Sequence, residues 1–148
     1  MASLTEIRTG IKSVIKANIS NLNVYSEVAD VAQVPAIVIM PALDHLSGGM
    51  VCDYDGAFKR GMDTWHMDLS VLVARTETSL AQVELDKYIS GTGPRSIRRV
   101  IYENSGLGLT DGTDAHASGV RLYGGKFNAA QIDHVGAVVR LIVRTTSA

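Results

Sequence analysis

The stretch Thr64 to Arg75 limits most severely what this chain can fold into. Trp65, Met67, Leu69, Val71 and Val73 alternate with His66, Asp68, Ser70, Leu72 and Ala74. That period of two suits a strand and not a helix. Successive strand side chains point to opposite faces, so the large apolar residues share one face and need a cover. The other face is polar in its early half and apolar in its later half. This pattern predicts a strand that leaves an exposed edge region and enters the core.

Amphipathic helices supply the cover. Leu4, Ile7, Ile11, Val14, Ile15 and Ile19 recur at three- and four-residue steps and so share one helix face. Ser3 followed by Glu6 forms a capping-box start, each side chain satisfying an orphan amide. Arg8, Lys12 and Lys16 read as the solvated face. Ser79 to Ile89 reads as a second helix, with Ser79 and Gln82 as another capping box and Leu80, Val83, Tyr88 and Ile89 as its buried stripe. Gly91-Thr-Gly-Pro94 ends that helix and starts a third, with Pro94 suited to the first helical position. Ile97, Val100 and Ile101 form the core stripe of the third helix.

The remaining segments read as strands and loops. Val24-Tyr25 begins a strand, and Pro35-Ala-Ile-Val-Ile-Met-Pro41 is an apolar run bracketed by residues that cannot donate to a ladder. Residues 42 to 57, with Gly48-Gly49 and CDYDG, read as a loop, and so does the Gly/Thr/Asp-rich stretch from Ser105 to Ala117. Val120 to Tyr123 and His134 to Thr145 return to strand, with Val135, Ala137, Val139, Leu141 and Val143 facing one way. The order predicts an α+β fold: a mostly antiparallel sheet packed against the N-terminal helix and two central helices. At 148 residues the chain is expected to form a single domain, 1–148. A chain of this size buries roughly 68–70% of its unfolded surface and needs no staple.

Charge and motifs remove several function classes from the expectation. With 14 Lys+Arg against 15 Asp+Glu, the chain lacks the basic balance of a protein that wraps or reads DNA. The lone Cys52 allows neither an intrachain disulfide nor a Cys-based zinc site, which fits a reducing compartment. No run approaches the roughly 18 apolar residues of a membrane span, and the N-terminus lacks a signal-peptide core, so a soluble chain made in cytoplasm is expected.

His45, His66, His116 and His134 fall in no paired helical spacing. His66 and Asp68 share a strand face, which reads as a polar outward surface. Asp53, Asp55 and Gly56 resemble a calcium-loop fragment without its closing acid, and Asp111, Asp114 and His116 read as a hydrated loop. Gly91-Thr-Gly-Pro94 lies between helices, unlike a dinucleotide fingerprint, and Gly124-Gly125-Lys126 lacks the rest of a phosphate loop. No catalytic, cofactor-binding or metal-ligating residue is expected.

Two features exceed what a core needs. One is the cation cluster Arg95, Arg98 and Arg99 at the start of the third helix, with Arg98 one turn past Arg95. The other is Phe58-Lys-Arg60-Gly-Met-Asp63-Thr-Trp65, which leads into the main strand. Arg and aromatic residues are enriched at protein interfaces. Phe58, Arg60, Asp63, Trp65, Arg95, Arg98 and Arg99 are therefore the candidate subunit or partner contacts; an ordinary surface turn is the alternative on physical grounds.

The block from Phe58 to Arg98 resembles the central block of tail terminator proteins of long, non-contractile-tailed bacteriophages, particularly those infecting actinobacteria. The matching residues are Phe58-x-Arg60-Gly61-x-Asp63-Thr64, the strand Leu69-Ser-Val-Leu-Val-Ala-Arg75, Ala81-Gln82, Leu85-Asp86, Tyr88 and Gly91-Thr-Gly-Pro94-x-Ser96. The other elements follow in the order expected of that family, while the 42–57 loop with Met50 and Cys52 has no clear counterpart in it.

The resemblance implies a compact α+β subunit of a homohexameric ring at the head-proximal end of the tail tube. Such a ring ends tube polymerisation and offers a head-joining surface. Its implied partners are further copies of itself, the tail-tube protein and the head–tail connector or neck protein. Genomic DNA would pass through without specific binding, and no membrane is involved. The implied location is the neck end of the virion tail, after assembly in the host cytoplasm. Another head–tail joining (head-closure) protein is the near alternative; a small-ligand binding module or enzyme is the alternative of a different class.

Overall fold

A computed structural model describes residues 3–25, 35–41, 52–56, 62–73, 78–109, 112–129 and 132–146. Helix α1 (Leu4–Asn18) opens on the expected capping box: the Ser3 hydroxyl accepts from the Glu6 amide, and the Glu6 carboxylate accepts from the Ser3 amide at 2.8 Å. Ile7, Ile11, Ile15 and Ile19 are buried, as their spacing requires. Each such side chain contributes about 1.5–3 kcal/mol on leaving water.

The sheet is built around β4 (Met62–Val73). On one side lie β2 (Ala36–Pro41), paired antiparallel with Met67–Leu72, and β3 (Cys52–Gly56), paired antiparallel with Met62–Trp65. These two strands run end to end along the same side of β4. The short β1 (Asn23–Tyr25) adds in parallel to β2. On the other side of β4 lies β6 (Ile132–Thr146), and β5 (Asp114–Ala129) forms the far edge. The expectation of an α+β fold with a mostly antiparallel sheet holds: only the β1–β2 pair is parallel among the described strands.

Period-two alternation places Met67, Leu69, Val71 and Val73 of β4 on the covered face with Ala137, Val139, Leu141 and Val143 of β6. Helix α2 (Thr78–Ile89) packs on β4 and β6, α3 (Ile97–Glu103) packs on β5, and α1 packs on β1, β2 and α3. A second, smaller apolar cluster of Ala36, Val38 and Leu72 lies on the opposite face. It explains why the late half of β4 is apolar on both sides.

Several expectations need correction. Cys52–Gly56 is strand and not loop, because β4 extends beyond β2 and leaves ladder groups for another strand to pair. Residues 42–51 lie outside the described residues. Asp114–Ala117 likewise belongs to β5 and not to a loop, because Asp114 to Ala117 pair with Arg144 to Leu141. Glycine and threonine content alone does not decide against a ladder. In α2 the buried stripe is Ala81, Leu85 and Tyr88, whereas Leu80 and Val83 are 59% and 55% exposed. Val83 lies about 200° round the helix from Ala81, so both cannot face the sheet. The helix starts at Thr78, which puts Ser79 inside its first turn and not at the N-cap.

In α3 the N-cap is Ser96, and Pro94 lies in the preceding turn. The Ser96 hydroxyl accepts from the Arg99 amide and donates to the Ser90 carbonyl, so one buried side chain joins the end of α2 to the start of α3. Ile97, Val100 and Ile101 are buried as expected.

The β5–β6 hairpin outruns the rest of the sheet. Among the described residues, β4 pairs with β6 as far as Val73–Val135, while β5 and β6 remain paired to Ala129–Ile132. β5 also carries irregularities between Ala117 and Gly119 and between Arg121 and Gly125, the second holding Leu122 and Gly124 at positive φ. Extra residues of this kind bend an edge strand and increase its twist.

Candidate functional site

The two sequence segments singled out for contact have different fates. Phe58 and Arg60 lie outside the described residues. Asp63 and Trp65 occupy the odd, covered face of β4, so the alternation that fixes the core also turns them inward. Asp63 is nearly buried, and Trp65 packs partly buried against the main core. The Trp65 indole Nε1 and the Thr145 hydroxyl are buried without a hydrogen-bond partner among the described residues. Cys52 pairs opposite Trp65. Burial, reinforced by Asp63 and Asp53, pushes its thiol up to about 11, which makes it a poor nucleophile at neutral pH.

The three arginines are not a cluster with one role. Arg95 lies before the N-cap of α3, not on the helix, and hydrogen-bonds the Tyr88 phenol. Burial raises that phenol above its ordinary value, Arg95 pulls it down and Glu84 adds to the rise. Arg99 is held by structure: Nε donates to the Gly93 carbonyl at 2.7 Å, Nη2 to the Pro94 carbonyl at 3.0 Å, and Nη1 to the Glu103 carboxylate at 2.7 Å. It closes the turn between α2 and α3. Arg98 is exposed, and among the described residues no side chain or carbonyl pairs with it. Its guanidinium lies over Gly91, where a Cβ would come within 2.9 Å of Nη1.

Arg98 borders three neighbouring surface depressions. One, of about 330 Å³, lies between Tyr88, Ile89 and Gly91 on the helical side and Ala117 to Val120 on β5. A second, of about 400 Å³, runs between Tyr102, Ser105 and Asp114 to Ala117. A third lies between Gly91, Thr92, Arg99 and Tyr102. Tyr102 is 82% exposed and four residues past Arg98, hence on the same side of α3. An exposed Tyr beside an exposed Arg has the composition of a protein contact.

Sequence reading singled out Arg98 but passed over Tyr102. The signal was there, since Tyr102 falls off the Ile97, Val100 and Ile101 stripe. Tyr54 on β3, 60% exposed, was also passed over because its segment read as loop.

The outer face of the sheet carries the main ion network. Arg140 Nε donates to Asp68 Oδ1 at 2.6 Å, its Nη2 approaches Oδ2 at 3.4 Å, and Arg121 Nη1 lies 3.8 Å from Oδ2. His66 and Asp68 do share a face, as alternation requires, but Asp68 is engaged by these arginines. Within the irregularity between Arg121 and Gly125, the Tyr123 hydroxyl donates to Asp86 Oδ1 at 2.6 Å, tying β5 to α2 and raising the phenol through that hydrogen bond.

Among the described residues, no three His, Cys, Asp or Glu side chains group to hold a metal ion. Nor is any of their helices long and apolar enough to cross a membrane. No protein-family model matches the chain, and a search of curated proteins finds no match to it.

Proposed function

We propose that this chain is the subunit of a tail terminator: a ring, hexameric by the family resemblance, that caps the head-proximal end of a phage tail tube. The reading rests on the resemblance carried by residues 58–96. The geometry lends support through one feature. Among the described residues, the sheet ends in different strands on its two sides, β1 and β3 on one and β5 on the other. Different patches on opposite sides of a subunit are what head-to-tail assembly needs, and a contact whose rotation closes generates a ring. The long β5–β6 hairpin, paired as far as Ala129–Ile132, adds a two-stranded element at one side of the sheet.

The function would be binding alone. One ring face would take the docking surface of the tail-tube protein, and the other would meet the head–tail connector, so tube growth would stop. Near-neutral charge suits a ring through which DNA passes without phosphate contacts that would hold it.

Two measurements test this reading. Native mass with and without the tail-tube protein should give a closed oligomer in at least one condition; a chain that stays monomeric in both refutes the ring. Removing the gene from its phage should yield overlong tails under the electron microscope. Tails of normal length with leaking heads would indicate a head-closure protein instead.

A further inference from the structure

We infer that the groove centred on Arg98, between α3 and β5, is a docking site for an extended acidic segment of a partner protein. The inference does not depend on the ring reading, since a lone subunit already carries the whole groove. Its three depressions, of about 330, 400 and 370 Å³, run into one another. Arg98 borders all three. Ala117 joins the first to the second, Gly91 the first to the third, and Tyr102 the second to the third. Linked surface hollows around one cation suit a length of chain better than an enclosed small molecule.

The walls fit a backbone. On the β5 side stand the small residues Ala117, Ser118 and Gly119, and a Cβ at Gly119 would meet nothing within 4 Å. A guest main chain can approach closely there. On the helical side stand the large groups, Arg98 and the 82% exposed Tyr102. Gly91 lets the Arg98 guanidinium lie across the turn between α2 and α3, where a Cβ would come within 2.9 Å of Nη1. The cation is thereby held at the junction of the three hollows.

Charge selects the guest. Arg99, the other arginine on the rim, already holds Glu103 at 2.7 Å, whereas Arg98 has no partner among the described residues. One unmatched guanidinium beside an exposed phenol matches one carboxylate, with an apolar neighbour laid against the ring. Following a phosphate backbone would take a row of free cations, and here Asp114 lines the same groove. A second copy is a poor source of the acid. Among the described side chains, Glu6, Asp68, Asp86 and Glu103 are engaged, Asp53 has a partner of its own and Asp63 is nearly buried. That leaves Glu84 and Asp114 itself, so the guest is a different chain.

The test titrates the isotope-labelled full chain with a synthetic peptide, acetyl-Gly-Glu-Asp-Phe-Glu-Gly-amide, to millimolar concentration and follows the amide shifts. The expected shifts cluster at Gly91, Arg98, Tyr102 and Ala117 to Gly119, and affinity falls as salt screens the pair. Arg98→Gln should raise Kd at least ~10-fold and Tyr102→Ala about 3-fold, both with the amide dispersion of the parent. Gly91→Ala keeps every charge and should still weaken binding, because its Cβ displaces the guanidinium.

Shifts that miss the groove, no binding at millimolar peptide, or equal affinity for the same peptide with lysines for its acids would overturn the inference. A short single-stranded oligonucleotide that binds more tightly, and is lost in Arg98→Gln, would assign the groove to phosphate instead. Self-association that Arg98→Gln abolishes and the peptide fails to compete with would assign it to a second copy. Peptide binding by a chain that stays monomeric with and without tube protein would uphold the groove while refuting the ring.

Discussion

Gly10 on α1 offers the sharpest check on the packing described above. In a helix interior, Gly→Ala ordinarily stabilises by about 0.8–1 kcal/mol, because alanine loses less conformational freedom. Here a Cβ at Gly10 would lie 2.8 Å from the Leu107 carbonyl oxygen and 3.2 Å from the Leu107 Cβ. The oxygen is backbone in a turn whose Leu107 already sits at φ 53° with its side chain 2% exposed, so it cannot retreat cheaply. Overpacking of this kind costs about 1–3 kcal/mol, which outweighs the propensity gain at most of that range.

Gly10→Ala should therefore destabilise by about 1 kcal/mol net at the middle of that range. In a domain of this length that lowers Tm by about 2–4 °C. Urea unfolding followed by circular dichroism reads the change, with Thr9→Ala on the exposed side of the same helix as a control expected within about 0.5 kcal/mol of the parent. A Gly10→Ala protein as stable as the parent, or more so, would refute the close approach of α1 to the turn after α3.

Other perturbations separate the remaining interactions. Ser3→Ala removes half of the capping box and should cost about 0.5–2 kcal/mol in urea unfolding, the rest of α1 being untouched. Asp68→Ala strips the carboxylate from Arg140, which is 8% exposed, and should cost about 2–4 kcal/mol by chemical denaturation. Cys52 should alkylate slowly with iodoacetamide at pH 7–8 and speed up towards pH 11, because burial holds the thiol near 11 against an ordinary 9.0. Since the native state keeps the proton longer, the stability linked to this group is complete below pH 9.0 and is lost as pH rises to about 11. A Cys52→Ser chain should lose less stability over that interval, and identical pH profiles for the two chains would refute the assignment.

Patterns that act within one element were legible in the sequence. The Ser3–Glu6 box, the isoleucine stripe of α1, the odd-numbered face of β4 and the inward row of β6 all follow from a fixed local period meeting a single apolar layer. The α+β class follows from the order of those elements. Tertiary structure alone decided what needed a partner from elsewhere in the chain. Cys52–Gly56 and Asp114–Ala117 look like loops by composition and become strands only because β4 and β6 leave ladder groups for them. Leu80 and Val83 read as a stripe until the sheet, covering one side of α2, takes Ala81, Leu85 and Tyr88.

The arginine cluster shows the same division most clearly. Sequence located Arg95, Arg98 and Arg99 together, but their roles depend on acceptors that folding brings within reach. Tyr88 engages Arg95, and the Gly93 and Pro94 carbonyls with Glu103 engage Arg99, which leaves Arg98 exposed beside β5. Periodicity is a property of the chain itself; pairing is a property of what the fold places opposite each group.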